Sequence, residues 1–405
     1  MTSAAPATIP ARKPLILHIS SDYPNPIRTP TTNAVERLVD RMTDHPQVVV
    51  SLQRVGLPWQ TYWRDLGMVG GRRLIAHGYF ALPLGVGMLA WQWRLARRIR
   101  RFLAAERIAP EIVHSHRFTF EGIAAWMVAR ATGAALFQSV RGEVEQKVFR
   151  LKPTYRPLFR RMARDAARIF YVSAWYRAGF ERHTGADPAR TRLLPNIVLN
   201  ARPEIAPALP DPRIVVALRL DALDRKGLPD LIAAFAAAGP ALDGFSLDIV
   251  GDAPADSPDR DRVHGLIAAH GLEGRAHLRG PVGHENFLAD LPRALVLAMP
   301  SRDETFGMVY PEALFSGVPI LYAAGTGIDG YLDGLEVGIG VRPGDVAGIA
   351  DALVRLVRDN ARYRAAIRAA APTLFERLSP EGVVARYRAE IDAATAPATG
   401  RRRGA

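Results

Sequence analysis

Two carboxylates eight positions apart, Glu304 and Glu312, stand in the stretch SRDETFGMVYPEALFSGVPIL, with Phe306, Gly307 and Met308 between them. The preceding LVLAMPS reads as a buried strand and RDETFG as a loop. A helix is expected from about Met308 to Ser316, closed by Gly317 at its C-terminal cap and by Pro319 beyond. Pro311 is compatible with that helix, because first-turn N–H groups need no intrahelical partner. Glu304 then lies on the loop and Glu312 early in the helix, while the N–H groups near Gly307 and Met308 favour an anion. A matching ligand carries hydroxyls at both ends and phosphate in the middle, which is the chemistry of a nucleotide sugar. A loop-plus-helix separation of this kind spans roughly 10 Å or more, at ~1.5 Å per helical and up to ~3.3 Å per extended residue. Taken alone, the same pair also suits two solvated carboxylates.

Strands must hold that loop in place. LILHIS, QVVVSLQRV, IVHSH, AALFQSV and IFYVS are strand candidates in the first half, and RIVVALRL, FSLDIVG, AHLRG, LVLAMPS and PILYAA in the second, each followed by a helical pattern. The alternation breaks at NARPEIAPALPDP, which reads as a linker. The expected architecture is therefore α/β, with two tandem Rossmann-like doubly wound domains facing across a cleft. The expected boundaries are a flexible leader at 1–12, a first domain at 13–200, a linker at 201–212 and a second domain at 213–375. A C-terminal helix at 376–392 should pack back on the first domain, ahead of a disordered tail at 393–405. In such sheets ligands sit beyond the carboxyl ends of the strands, so the loops there carry the search.

Charge separates the halves. Through Glu204 the chain has 31 Lys+Arg against 14 Asp+Glu, and the remainder has 22 against 26. From Met88 to Leu103, Met88, Leu95, Ile99, Phe102 and Leu103 share one helical face, and Arg94, Arg97, Arg98, Arg100 and Arg101 another, with Trp91 and Trp93 alongside. PLFRRMARDAARIF repeats the pattern, with Phe159, Met162, Ala166 and Ile169 in one stripe. Each fits a core helix with a solvated outer face. Together they favour contact of Trp91, Trp93, Arg94, Arg97, Arg98 and Arg101 with an anionic inner membrane surface over nucleic acid, for which no recognised motif is present. The absence of cysteine excludes disulfides and thiolate chemistry and suits a reducing compartment. A start without an apolar h-region makes the expected location cytoplasmic, peripheral on the inner face of the plasma membrane.

The stretch PSRDETFGMVYPEALFSGVP resembles the E-x7-E signature of family 4 glycosyltransferases, retaining enzymes of the GT-B fold. The similarity continues through GDVAGIADALVRLV, HLRGPVGHENF, FSLDIVGDAP and ALRLDALDRKGLPDLIAAFA, and more loosely through YVSAWYRAGF and RLLPNIVL. The resemblance implies that Glu304 contacts the donor sugar, that Phe306, Gly307 and Met308 line the donor site, and that Glu312 holds the nucleotide ribose. Arg219 and Lys226 match the basic pair that neutralises the donor diphosphate, where fixed cations stabilise the leaving group. It implies a nucleoside-diphosphate sugar as co-substrate, with no further cofactor and no metal; the basic charge of the first half, rather than any motif, points to a lipid-linked or saccharide acceptor. Two departures stand out: SSDYPNPIRTPTTNAVERL has no glycine, and SVRGEVE has Arg141 where the family commonly has histidine. Arg141 and His116 are the candidates for the acceptor side or a sugar contact, although Arg141 equally suits pairing with Glu143 or Glu145.

Other motifs weigh less. GTGIDG from Gly325 matches a dinucleotide fingerprint, yet the following YLDGLEVGIGV has too many glycines for the long helix that fingerprint requires. Asp259 and Asp261 precede a helical pattern rather than ending a strand. His114 and His116 fall on one face of a strand end without other metal-ligand signals. The rival functions are a dinucleotide-dependent oxidoreductase, a non-catalytic sugar-binding or membrane-scaffold protein, and a glycosidase with its carboxylates roughly 5 to 9 Å apart.

Overall fold

The computed structural model describes residues 12–27, 32–82, 85–253 and 257–396. The expected leader and tail, and part of the glycine-free loop, fall mostly or partly outside those residues. Eight strands, β1 (Ile16–Ser20), β2 (Gln47–Val55), β3 (Tyr62–Val69), β4 (Arg72–Phe80), β5 (Ile112–Ser115), β6 (Ala135–Val140), β7 (Arg168–Tyr171) and β8 (Thr191–Leu193), form a sheet in the order β3-β4-β2-β1-β5-β6-β7-β8. Six more, β9 (Arg213–Ala217), β10 (Ser246–Val250), β11 (Ala276–Gly280), β12 (Val296–Met299), β13 (Ile320–Ala323) and β14 (Gly338–Val341), form a second sheet in the order β11-β10-β9-β12-β13-β14. The recorded pairings of the second sheet are all parallel. Strands such as β1 and β12 are buried along their whole length, as strands covered on both faces should be.

The sequence reading misses β3, β4, β8 and β14. β3 pairs antiparallel with β4 as an edge strand, and its residues are mostly exposed, so no apolar run marks it. The second amphipathic pattern is also shorter than expected. Its helix ends at Asp165, so Ala166 and Ile169 lie beyond it, with Ile169 on β7.

By compactness the chain divides differently from the expected linker. One unit comprises the residues up to Ser139, Arg161–Ile169 and those from Tyr387 on; the other comprises Val140–Arg160 and Phe170–Arg386. Segments such as Arg141–Gly142 and Ser173–Trp175 group with the second unit because they bond to its loops, as the site shows. Within the first unit Trp91 stacks on Tyr79 with ring centroids 4.6 Å apart, and it is buried together with Leu95, Ile99 and Leu103 of the helix Met88–Ala105. This removes Trp91 from the membrane-facing candidates: it lies one helical turn before Leu95, on the apolar stripe. Trp93, Arg94, Arg97, Arg98 and Arg101 are exposed. Among the described residues no helix is long and apolar enough to cross a membrane.

Candidate functional site

In the second sheet the chain runs from β9 outward to β10 and β11, then returns to place β12 on the other side of β9. The loops after β9 and β12 therefore leave adjacent strands toward opposite faces, the crevice where α/β sheets bind ligands. Lys226 comes from the first loop and Glu304 from the second, and their side chains form an ion pair that is largely withdrawn from water. Glycine makes this approach achievable. Gly227 has φ +71°, and a Cβ there would press into the Pro300 carbonyl oxygen. Gly227→Ala is expected to cost about 2 to 4 kcal/mol through strain and clash, read as a lower denaturant midpoint. An unchanged midpoint would show that the turn does not depend on glycine.

The backbone of Glu304 is clamped from the β13 loop. Its N–H donates to Thr326 Oγ1 at 2.8 Å, while its carbonyl accepts from the Thr326 hydroxyl and the Gly327 N–H, both at 2.9 Å. GTGIDG thus holds a carboxylate loop, and only turns follow it where a dinucleotide fingerprint needs a helix. Gly307, with φ +76°, leaves no room for a Cβ between itself and Tyr310, whose hydroxyl donates to the Met299 carbonyl at 2.6 Å. Phe306 is buried against Tyr331, and Met308 precedes the helix Val309–Phe315, close to the expected span.

Glu312 is 5% exposed, and its carboxylate lies 3.0 Å from His284 Nε2. Its backbone carbonyl accepts from Asn200 Nδ2 at 2.9 Å. His284 and Thr326 are the site residues that the sequence reading missed, although both sit inside stretches it singled out. Arg219 leads the β9 loop but is solvent-exposed and paired to Asp221 at 2.6 Å. Asp259 and Asp261 occupy the first turn of the helix Asp259–Ala269, where Asp259 accepts from the Ser257 hydroxyl.

Arg141 is buried, and its backbone N–H and that of Gly142 donate to Glu145 Oε2 at 3.0 and 2.9 Å. The Ser173 hydroxyl lies 2.5 Å from the Arg141 carbonyl oxygen and 2.6 Å from that of Thr305, tying the Arg141 turn to the Glu304 loop. Next to it Lys147 bonds Glu143 at 2.6 Å and lies 3.6 Å from Asp303. Burial and the neighbouring Glu143 raise the Asp303 pKa, whereas Lys147 overcomes burial to lower that of Glu143.

The first unit has its own switch point between β1 and β5, and polar groups gather at their carboxyl ends. His18 and His114 are register partners, and His18 Nδ1 lies 3.1 Å from His116 Nε2. His114 bonds Tyr387 Oη at 2.8 Å and Ser139 Oγ at 2.9 Å. The three rings bring ligand-type nitrogens within 4.8 Å of one another, and burial lowers the His18 pKa to about 3. Beside them Arg117 bonds Asp22 at 2.7 Å, and Glu121 is fully buried with the Ser21 hydroxyl 3.3 Å away. Burial, helped by Asp22 and opposed by Arg117, raises the Glu121 pKa from 4.5 to about 8. A raised folded-state pKa means that the folded protein holds the proton more tightly. The contribution is complete below the unfolded value and is lost as pH climbs to about 8. Stability should thus fall toward pH 8 by up to about 1.4 kcal/mol per unit from this group, and Glu121→Gln should flatten that slope in denaturant titrations. An unaltered slope in the variant would assign it to other groups.

Residues 27–197 match the model of the glycosyl transferase 4-like domain, and residues 202–373 match that of glycosyl transferases group 1. The chain belongs to the family 4 glycosyltransferases. This glycosyltransferase is similar to an exopolysaccharide phosphotransferase, SCO2592, of Streptomyces coelicolor, with 31% identity over 58% of this chain and 25% of that protein. It spans from 25% to 64% of the lengths of the first three curated relatives it matches. Among solved structures it is similar to sucrose-phosphate synthase of Thermosynechococcus elongatus, with TM-score 0.70, 21% identity, and coverage of 94% of this chain and 100% of that one. Anabaena Alr3699/HepE in complex with UDP gives TM-score 0.67 at 15% identity, over 94% of this chain and 100% of that one. At these identities the structural likeness establishes the GT-B fold alone.

Proposed function

We propose that this glycosyltransferase moves a hexosyl group from a nucleoside-diphosphate sugar to an acceptor hydroxyl with retention of anomeric configuration. The observation that carries the reading is the Lys226–Glu304 pair at the switch point, eight residues before the buried Glu312–His284 contact. Glu304 accepts hydrogen bonds from the donor sugar and Glu312 from the ribose diol. Lys226 and Arg219 take the charge that grows on the departing diphosphate, chemistry that requires no further cofactor and no metal at this site. The C1–O bond to phosphate breaks, the acceptor oxygen bonds C1 on the same face, and the acceptor proton passes to the leaving phosphate oxygen.

Alr3699/HepE is recorded with UDP and with UDP-glucose, which supports a uridine donor as the first to try. The first unit carries 24 Lys+Arg against 11 Asp+Glu and so suits an anionic, lipid-linked saccharide acceptor in envelope polysaccharide or glycolipid assembly. In this reading Arg141 and His116 contact the sugar or the acceptor.

Before a diphosphate binds, Arg219 must leave Asp221. An exposed pair of this kind is worth about 0.2 to 1 kcal/mol, so Asp221→Asn should tighten donor binding by up to about fivefold in calorimetric titration. Weaker binding would mean that Asp221 holds Arg219 in its productive position. The transfer itself is tested by proton NMR of the sugar released from an α-linked donor, with and without saccharide acceptors. An α product supports retention, a β product contradicts it, and nucleotide-independent cleavage of a glycoside would favour the glycosidase reading.

A further inference from the structure

The helix Met88–Ala105 and the helix Gly122–Thr132, both in the first unit, border a cleft of about 1040 Å³. Its lining includes Arg97, Arg100, Arg101, Arg130, Trp93 and Trp126. Among the described residues none of these four arginines has a carboxylate partner. Arg97 instead lies over the Trp93 ring at 5.3 Å, and Arg130 over Trp126 at 5.0 Å. Four large apolar side chains are exposed in the chain that leads into this helix and along its first turns: Leu82, Val86, Leu89 and the cleft-lining Trp93, by 47%, 57%, 43% and 51%. Leu89, Trp93, Arg97 and Arg100 follow one another at helical spacing along a single face, so the apolar row runs directly into the unpaired guanidiniums.

We propose that this face docks on an anionic lipid surface. Leu82, Val86, Leu89 and Trp93 enter the boundary between headgroups and acyl chains, and Arg97, Arg100, Arg101 and Arg130 receive lipid phosphates in and around the cleft. An aqueous anion would use the arginines and leave the apolar row without a purpose, whereas a lipid interface uses both. The charge balance agrees: the first unit has 24 Lys+Arg against 11 Asp+Glu, which accounts for the whole chain's net +13. The proposal does not depend on the donor reading, since no residue of the Lys226–Glu304 site takes part.

The test is flotation of the full chain with vesicles of phosphatidylcholine alone and of phosphatidylcholine mixed with phosphatidylglycerol. Binding is expected only with phosphatidylglycerol, weakening as salt is raised. Each arginine near an anionic surface is worth about a fivefold change in partitioning, so Arg97→Ser/Arg100→Ser/Arg130→Ser should reduce it on the order of a hundredfold. Leu89→Ser/Trp93→Ser should also reduce binding, although it leaves the charge intact. For the unaltered chain, brominated acyl chains should quench tryptophan emission, and Trp93→Phe should remove most of that quenching. Absence of binding to anionic vesicles, equal binding by the arginine variant, or tighter binding to duplex DNA lost in the same variant would each overturn the proposal. Nucleoside diphosphate binding, measured on the same variants, reports separately on the donor site.

Discussion

Lys226→Ala is expected to lower kcat/KM on the order of a thousandfold. Two losses combine in it. The first, on the proposed function, is the cation facing the departing diphosphate; removing one preorganised electrostatic partner of a developing charge costs roughly 2.7 to 4 kcal/mol in the transition state. The second is the partner of Glu304, whose side chain keeps little contact with water. Breaking such a pair from one side leaves an uncompensated carboxylate and costs about 3 to 5 kcal/mol of stability where burial is complete, and less here. The two losses separate in a double variant. Lys226→Ala/Glu304→Gln should recover much of the lost stability, because no lone charge remains, yet it should recover none of the activity. If activity returned with stability, Lys226 would be a folding residue and its assignment to the diphosphate would fall.

Glu312→Ala should weaken donor binding by about 10- to 150-fold, the equivalent of ~1.5 to 3 kcal/mol for hydrogen bonds to a charged acceptor. The carboxylate is buried early in a short helix and faces His284, so it meets a ligand with its orientation already set. Calorimetry with the preferred nucleoside diphosphate reads this directly. Loss should appear equally with the diphosphate and with the complete sugar nucleotide, because the ribose belongs to both. A loss confined to the sugar nucleotide would move Glu312 to the sugar end of the site.

Local signals made parts of this molecule readable. The helix after Glu304 was legible from Gly317 and Pro319, and the central strands from their uninterrupted apolar runs. Trp91 was legible in principle, since it precedes Leu95 by one turn, but grouping it by composition with Trp93 placed it on the wrong face. Strand β3 was not legible, because an exposed edge strand carrying Arg64, Asp65 and Gly67 has no apolar alternation to read. The pairs Lys226–Glu304 and Glu312–His284 bridge 78 and 28 residues. Their meeting depends on how the β9 and β12 loops and the chain around His284 are brought together, which no local spacing encodes. Resemblance to a family supplied the roles; the sheet order supplies the reason that the residues meet. Thr326 shows the converse, since a literal motif suggested a cofactor loop and the fold uses it to fasten Glu304.

The central claim, that the second unit binds a nucleoside-diphosphate sugar through Lys226, Glu304 and Glu312, is tested most directly by thermal stabilisation. The full chain would be heated with UDP, GDP, ADP, their common sugar conjugates and NAD, beside the Glu312→Ala variant. A ligand present at 100 times its Kd adds about 2.7 kcal/mol to the folded state. The account predicts a raised midpoint with one nucleotide family and its sugar conjugate, and a much smaller rise in the variant. A rise with NAD alone, or none with any nucleoside diphosphate, would contradict it.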